Sequence, residues 1–224
     1  MPPTYGMYTV LAQLNNVKVN TVPLNESFQL DLEGIMKQVN GNTKVIFVCS
    51  PNNPTGNSIP LEQIQNLLNQ FSGLVVVDEA YVDFSTKGSA VRFLDDYPHL
   101  MICQTFSKAY GLAGIRLGMG IADSKIIDYF NKIKPPYNVN VLTQKTAFNS
   151  LNDQHTTKEH VKELLAERQK LEKELLNIDF VNKIYPSDAN FLLIQVDNAS
   201  KRYDQLLSLD IVVRNRSSLL GCEN

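Results

Sequence analysis

The sequence predicts an α/β fold: a mostly parallel sheet with helices on both faces, followed by a smaller and partial C-terminal α/β group. Two observations predict it. Short apolar runs alternate with helix-period stretches through the first two thirds of the chain, and the runs are apolar at successive positions, as in Leu74-Val75-Val76-Val77. Strands apolar at every position are buried on both faces, which is the pattern of a parallel sheet wrapped by helices.

Taken in order, a helix is expected over residues 5–13, a strand over 17–22, a helix over 31–39 and a strand over 44–49. A helix over 61–71 and a strand over 74–78 continue the alternation. Residues 99–105 and 117–122 add two more strands, and a helix over 124–133 is stopped by Pro135-Pro136, since the residue before a proline is driven out of helical geometry. Over 157–176, Val161, Leu164, Leu165, Leu171, Leu175 and Leu176 are spaced among Lys and Glu as one apolar stripe of a helix. A coiled coil is the competing reading of that stretch, but its pattern is too brief. Residues 191–196, 201–209 and 211–214 then read as strand, helix and strand. A boundary near residue 150 separates a large domain, 1–150, from a small one, 151–224.

Composition narrows the function classes. The chain has 224 residues, 43% of them hydrophobic, with 21 Lys and Arg against 23 Asp and Glu and a net charge of -2. No basic field invites nucleic acid, and no block of like charge marks a disordered tail. Met1-Pro2-Pro3-Thr4-Tyr5 has neither a charged n-region nor an apolar h-region, and no apolar stretch approaches the ~20 residues needed to span a bilayer. A cytoplasmic chain with no membrane partner is expected. Cys49, Cys103 and Cys222 are odd in number and lack CxxC spacing, so free thiols are expected. His99, His155 and His160 are scattered, so no metal is expected.

Chemistry concentrates in three runs. The strand at Leu74 ends in Asp78-Glu79-Ala80-Tyr81, and open α/β sheets bind ligands at the carboxyl ends of their strands. A Walker B acid is the competing reading of Asp78, but no GxxxxGK[ST] run accompanies it. Ser50-Pro51-Asn52-Asn53-Pro54-Thr55-Gly56 also follows a strand, and Asn53 is readable either as a hydrogen-bond donor or as an ordinary turn residue. In Ser107-Lys108-Ala109-Tyr110-Gly111-Leu112-Ala113-Gly114-Ile115-Arg116, an amine sits between a hydroxyl and a guanidinium suited to phosphate. Together with the strand-end acid, that is equipment for holding pyridoxal 5'-phosphate (PLP), a phosphorylated aldehyde, as an imine. The bland reading of Lys108 is a solvated surface lysine.

The order Asn-Pro-Thr-Gly, Asp-Glu-Ala-Tyr, Ser-Lys-x-Tyr-Gly-Leu-Ala-Gly-x-Arg resembles the fold-type I, class I/II PLP-dependent aminotransferases over essentially the whole chain. Pro2 to Tyr8, Asp188-Ala189-Asn190-Phe191-Leu192-Leu193 and Val212-Val213-Arg214 extend the resemblance to the histidinol-phosphate aminotransferase family, particularly its fungal forms. The resemblance implies an amino-group transfer between histidinol phosphate and 2-oxoglutarate, giving imidazole acetol phosphate and glutamate in histidine biosynthesis, by a homodimer. It implies Lys108 as the imine-forming lysine, Asp78 at the pyridine nitrogen, and Asn53 and Tyr81 at the phenolate oxygen. Ser107 and Arg116 would hold the cofactor phosphate, Tyr5 would stack on the ring, and Arg214, with Asn53, would bind substrate. Alternatives at this point are a transaminase for aromatic amino acids, another class I/II aminotransferase, or a non-catalytic remnant of the fold. Family members carry further phosphate-site and substrate-arginine segments beyond both ends of this sequence, so an incomplete chain is expected.

Overall fold

The computed structural model describes residues 1–223. Its main sheet has the order β1 (Val45–Cys49), β2 (Leu74–Asp78), β3 (Leu100–Thr105), β4 (Gly118–Ala122), with the first three parallel and β4 antiparallel to β3. Val75, Val77, Leu100 and Ile102 are fully buried, as their uninterrupted apolar runs require.

Around the sheet lie α1 (Met7–Leu14), α2 (Leu32–Gln38), α3 (Leu61–Gln70) and α4 (Ser124–Ile133). In α3, Ile64, Leu67 and Leu68 face inward at the spacing of one helical stripe and join Val48, Val75, Val77 and Phe71 in the principal core. Full burial of a side chain such as Ile64 or Leu67 contributes about 1.5–3 kcal/mol, so this helix is held by packing more than by its own propensity. α2 is started by Asp31, whose carboxylate accepts from the Gly34 amide at 2.9 Å.

Beyond the sheet come α5 (Val141–Asn152), α6 (Gln154–Leu175), β5 (Val181–Ile184), β6 (Ile194–Val196) and α7 (Ala199–Leu207). β5 and β6 pair antiparallel as a separate two-stranded sheet. α6 lays Val161 and Leu165 against a second apolar cluster built on Tyr81, Phe84, Ala109 and Ala189, which ties the later elements to the loops at the sheet's carboxyl edge.

Several expected elements differ. Residues 17–22 and 211–214 are irregular, not strands. Val17, Val19, Ile211 and Val212 are exposed there, and a β-prone run becomes a strand only beside a partner that takes up its backbone hydrogen bonds. The strand expected over 191–196 shortens to β6, because Ser187 draws the Phe191 carbonyl into a tight turn at 2.6 Å. β5 and α5 are additions to the predicted set. α5 buries only Thr143 and Ala147 and so leaves almost no apolar stripe to read. Residue 150 lies in the last turn of α5, which is followed directly by Asp153, the cap of α6.

Candidate active site

The parallel strands decide what comes together. β1, β2 and β3 run the same way, so the loops after their carboxyl ends share one edge. Those loops carry Asn53, then Asp78 to Tyr81, then Ser107 and Lys108. β4 runs the opposite way, with Gly118 opposite Thr105, so its beginning meets the same edge and brings Arg116 with it.

Asp78 and Glu79 are adjacent in an extended chain and therefore point to opposite faces. The Glu79 carboxylate is buried in structural work: it accepts from the Ser89 hydroxyl at 2.6 Å, the Ala90 amide at 2.7 Å and the Gln104 amide at 2.9 Å. Asp78, half-buried, accepts from the Tyr8 hydroxyl at 2.6 Å and the Ala80 amide at 3.0 Å. Its register partners are Cys49 on β1 and Cys103 on β3. Burial, and then the neighbouring Asp78, push the Cys49 thiol up to about 12 and the Cys103 thiol up to about 11. Both stay neutral at physiological pH, and all three cysteines are free.

Asn53 donates its side-chain amide to the Tyr81 hydroxyl at 3.1 Å. Tyr81 is buried, with Phe191 edge-on to its ring at 5.1 Å and the Lys108 ammonium 5.2 Å from its ring centroid. Among the described residues, the Lys108 ammonium forms no hydrogen bond or ion pair, and the Ser107 hydroxyl forms no hydrogen bond.

The structure thus brings Asn53, Tyr81 and Lys108 into one group, with Asp78 at the same edge. Arg116 is exposed and turned back on its own loop, its guanidinium donating to the Ala113 carbonyl at 2.9 Å. Tyr5 is 46% exposed and meets Tyr8 edge-on at 5.7 Å. Arg214 is exposed in the irregular segment after α7, and its side chain forms no hydrogen bond or ion pair among the described residues.

The loop that carries Asn53 is closed on itself and clamped from afar. The Gly56 amide donates to the Asn52 carbonyl at 2.8 Å, and the Asn52 amide to the Asn57 carbonyl at 2.9 Å. The buried Asn52 side chain accepts from the Thr4 hydroxyl at 2.8 Å and donates to the Pro3 carbonyl at 2.9 Å and the Thr55 hydroxyl at 2.7 Å. Asp188 donates its amide to the Gly56 carbonyl at 2.7 Å and accepts from the Ser58 amide at 3.0 Å, a link across 130 residues of sequence. Sequence reasoning assigned no role to Tyr8, Asn52 or Asp188. Each stood inside a run that marked the family, which was the available signal; their bonding partners are distant in sequence.

Gly56 has φ +80, and a Cβ there would stand 2.7 Å from the Ser187 hydroxyl oxygen. Gly56→Ala should therefore lower stability by about 1–3 kcal/mol, read as a shift of the urea midpoint; an unchanged midpoint would show that the clamp yields freely.

An acid, a paired amide and phenol, and an unengaged amine at one sheet edge are the donor set that PLP calls for: a counter-charge for its ring nitrogen, donors for its phenolate oxygen and a nucleophile for its aldehyde. The residues fit that group, and the fold around them is one found in aminotransferases. The chain matches the model of aminotransferase class I and II over residues 1–222, and it belongs to that family. Among its curated relatives are the histidinol-phosphate aminotransferases of Christiangramia forsetii, 55% identical over 224 residues, and Flavobacterium psychrophilum, 53% identical over 224 residues; both matches cover 100% of this chain and 64% of the relative. The chain thus spans less than two thirds of the length of those proteins, which are bacterial where the motifs point to fungal forms. Among solved structures, the histidinol-phosphate aminotransferase from Clostridium acetobutylicum superimposes with a TM-score of 0.91 at 29% identity, covering 98% of this chain and 68% of that one. That from Sinorhizobium meliloti in complex with pyridoxal-5'-phosphate gives a TM-score of 0.86 at 26% identity, covering 94% and 59%.

Proposed function

We propose that the protein carrying this chain is a PLP-dependent histidinol-phosphate transaminase of histidine biosynthesis, using glutamate and 2-oxoglutarate as the second substrate pair. The observation that carries the reading is the gathering of Asp78, the Asn53–Tyr81 pair and Lys108 at the carboxyl edge of three parallel strands. The names of the relatives support the substrate. The division into a large domain, 1–150, and a small one, 151–224, belongs to the same proposal, as do a homodimeric assembly and a cytoplasmic location. No described helix is long and apolar enough to cross a membrane.

Bound in this site, PLP supplies an electron sink for the negative charge left when a substrate carbon loses its proton. Lys108 would anchor the cofactor through its side-chain nitrogen and, when free of it, would serve as the base that accepts the substrate carbon's proton and gives it up again. Asp78 would accept a hydrogen bond from the protonated ring nitrogen. Asn53 and Tyr81 donate to the phenolate oxygen, and Ser107 and Arg116 take the cofactor phosphate, which requires Arg116 to release the Ala113 carbonyl. Tyr5 covers one face of the ring. Arg214 receives the substrate's phosphate or carboxylate, for which a planar cation is suited.

Initial rates with histidinol phosphate and with phenylalanine, each paired with 2-oxoglutarate in the intact protein, test the substrate. A clear preference for histidinol phosphate is expected. Preference for phenylalanine would make the protein a transaminase for aromatic amino acids.

A further inference from the structure

Asp78 is held from two directions. The Ala80 amide donates to one carboxylate oxygen at 3.0 Å, and the Tyr8 hydroxyl donates to the other at 2.6 Å, across 70 residues of sequence. A distance of 2.6 Å lies at the short end of the O–H···O range and marks a close, well-formed hydrogen bond. Each carboxylate oxygen has two acceptor directions, so one bond to each leaves room for a further donor.

The phenol is fixed as firmly as the acid. Its ring stacks on Phe47 of β1 at 5.0 Å with 19° between planes, and Tyr5 closes it edge-on at 5.7 Å. Burial, with Cys49 and Asp78 close by, drives the Tyr8 phenol far above its usual range, so the hydroxyl remains a donor at any physiological pH. The flanking thiols Cys49 and Cys103 stay neutral and are weak donors, and Cys49 is directed at the Pro51 carbonyl at 3.6 Å.

We infer that Tyr8 is a positioning residue, which aims the Asp78 carboxylate at the ring nitrogen of bound PLP so that this nitrogen retains its proton. The inference rests on the reading that Asp78 faces that nitrogen. The physical reason is orientation: a carboxylate pinned at both oxygens presents a fixed acceptor, and an acceptor held at the ring nitrogen stabilises the protonated ring.

The test uses PLP labelled with nitrogen-15 in the ring and bound to the intact protein, comparing wild type, Tyr8→Phe and Phe47→Leu. Tyr8→Phe keeps the stacked ring and removes only the hydroxyl. Its nitrogen-15 shift should move toward that of an unprotonated pyridine, while PLP stays attached to Lys108 and the melting temperature of the cofactor-free protein stays near wild type. Its kcat should fall roughly 10- to 100-fold, the size of one charge-assisted hydrogen bond, with little change in KM. Phe47→Leu, which disturbs the packing but spares the hydroxyl, should lower the melting temperature and leave the ring-nitrogen shift at the wild-type position. A wild-type ring-nitrogen shift in Tyr8→Phe overturns the inference while leaving the function reading intact. Loss of PLP from Tyr8→Phe at a normal melting temperature also overturns it, because Tyr8 would then serve binding itself. An unprotonated ring nitrogen in the wild type removes the Asp78 reading on which the inference stands.

Discussion

Lys108→Ala is expected to abolish the PLP that borohydride fixes to the wild-type protein and to lower turnover by about 10³-fold or more, since it removes both the covalent anchor and a general base that by itself supplies roughly 10²- to 10⁴-fold. The fold should survive. The Lys108 ammonium forms no ion pair or hydrogen bond among the described residues, and its placement 5.2 Å from the Tyr81 ring centroid is the one contact of consequence. A cation over an aromatic ring contributes only about 0.5–1 kcal/mol at a partly exposed site, so the melting temperature should change little. The measurements are peptide mapping after borohydride reduction and the melting temperature of the cofactor-free protein. Reduction that attaches PLP to a different lysine with turnover retained would move the anchor elsewhere. A wild-type protein that takes no PLP at all would favour a non-catalytic form of the fold.

Asp78→Ala should leave PLP attached to Lys108 but slow turnover by roughly 10²- to 10³-fold, in line with removing one preorganised electrostatic group from a reacting centre. It also deprives the half-buried Tyr8 hydroxyl of its acceptor, at a cost below the roughly 1–3 kcal/mol of a fully buried donor left without a partner. Some loss of stability is therefore expected as well. Asp78→Glu should recover little, because an added methylene shifts the carboxylate by more than the roughly 0.5 Å a preorganised site tolerates. An acid that merely terminates β2 makes the opposite forecast: lower stability with near-normal turnover in the molecules that remain folded. Turnover per folded, PLP-loaded molecule separates the two, and a near-wild-type value for Asp78→Ala would take the acid out of the mechanism.

What could be read in the sequence is what local chemistry encodes. The runs at Leu74 and Leu100 read as buried strands because each is apolar at successive positions, while the run at Val45 forms a strand that buries only its carboxyl end. The interleaving of these runs with helical stretches points to the parallel pairing that β1, β2 and β3 adopt. Given parallel strands, Asn53, Asp78 and Lys108 had to emerge at one edge, since each follows a carboxyl end. The principal core followed from the same periodicities, as the stripe of Ile64, Leu67 and Leu68 illustrates.

Other features were settled only by distant parts of the chain meeting. β4 looks like any other short strand in sequence, yet it pairs antiparallel to β3 and so returns Arg116 to the edge that carries Asn53, Asp78 and Lys108. Residues 17–22 and 211–214 have strand composition and no strand, because backbone hydrogen bonds need a neighbour that only the assembled fold can supply. Arg214 has the residue type for an anion site and stands exposed. Tyr8, to which its run gave no role, is bonded to Asp78, and Asp188 holds the Asn53 loop from 130 residues away. By itself the sequence determined the sheet core, the edge where the chemistry gathers and the residue types available there, because side-chain period and strand direction are local properties. The tertiary structure decided which of those residues are held, by what, and at what distance, because hydrogen bonds and packing between remote segments depend on the position of the whole chain.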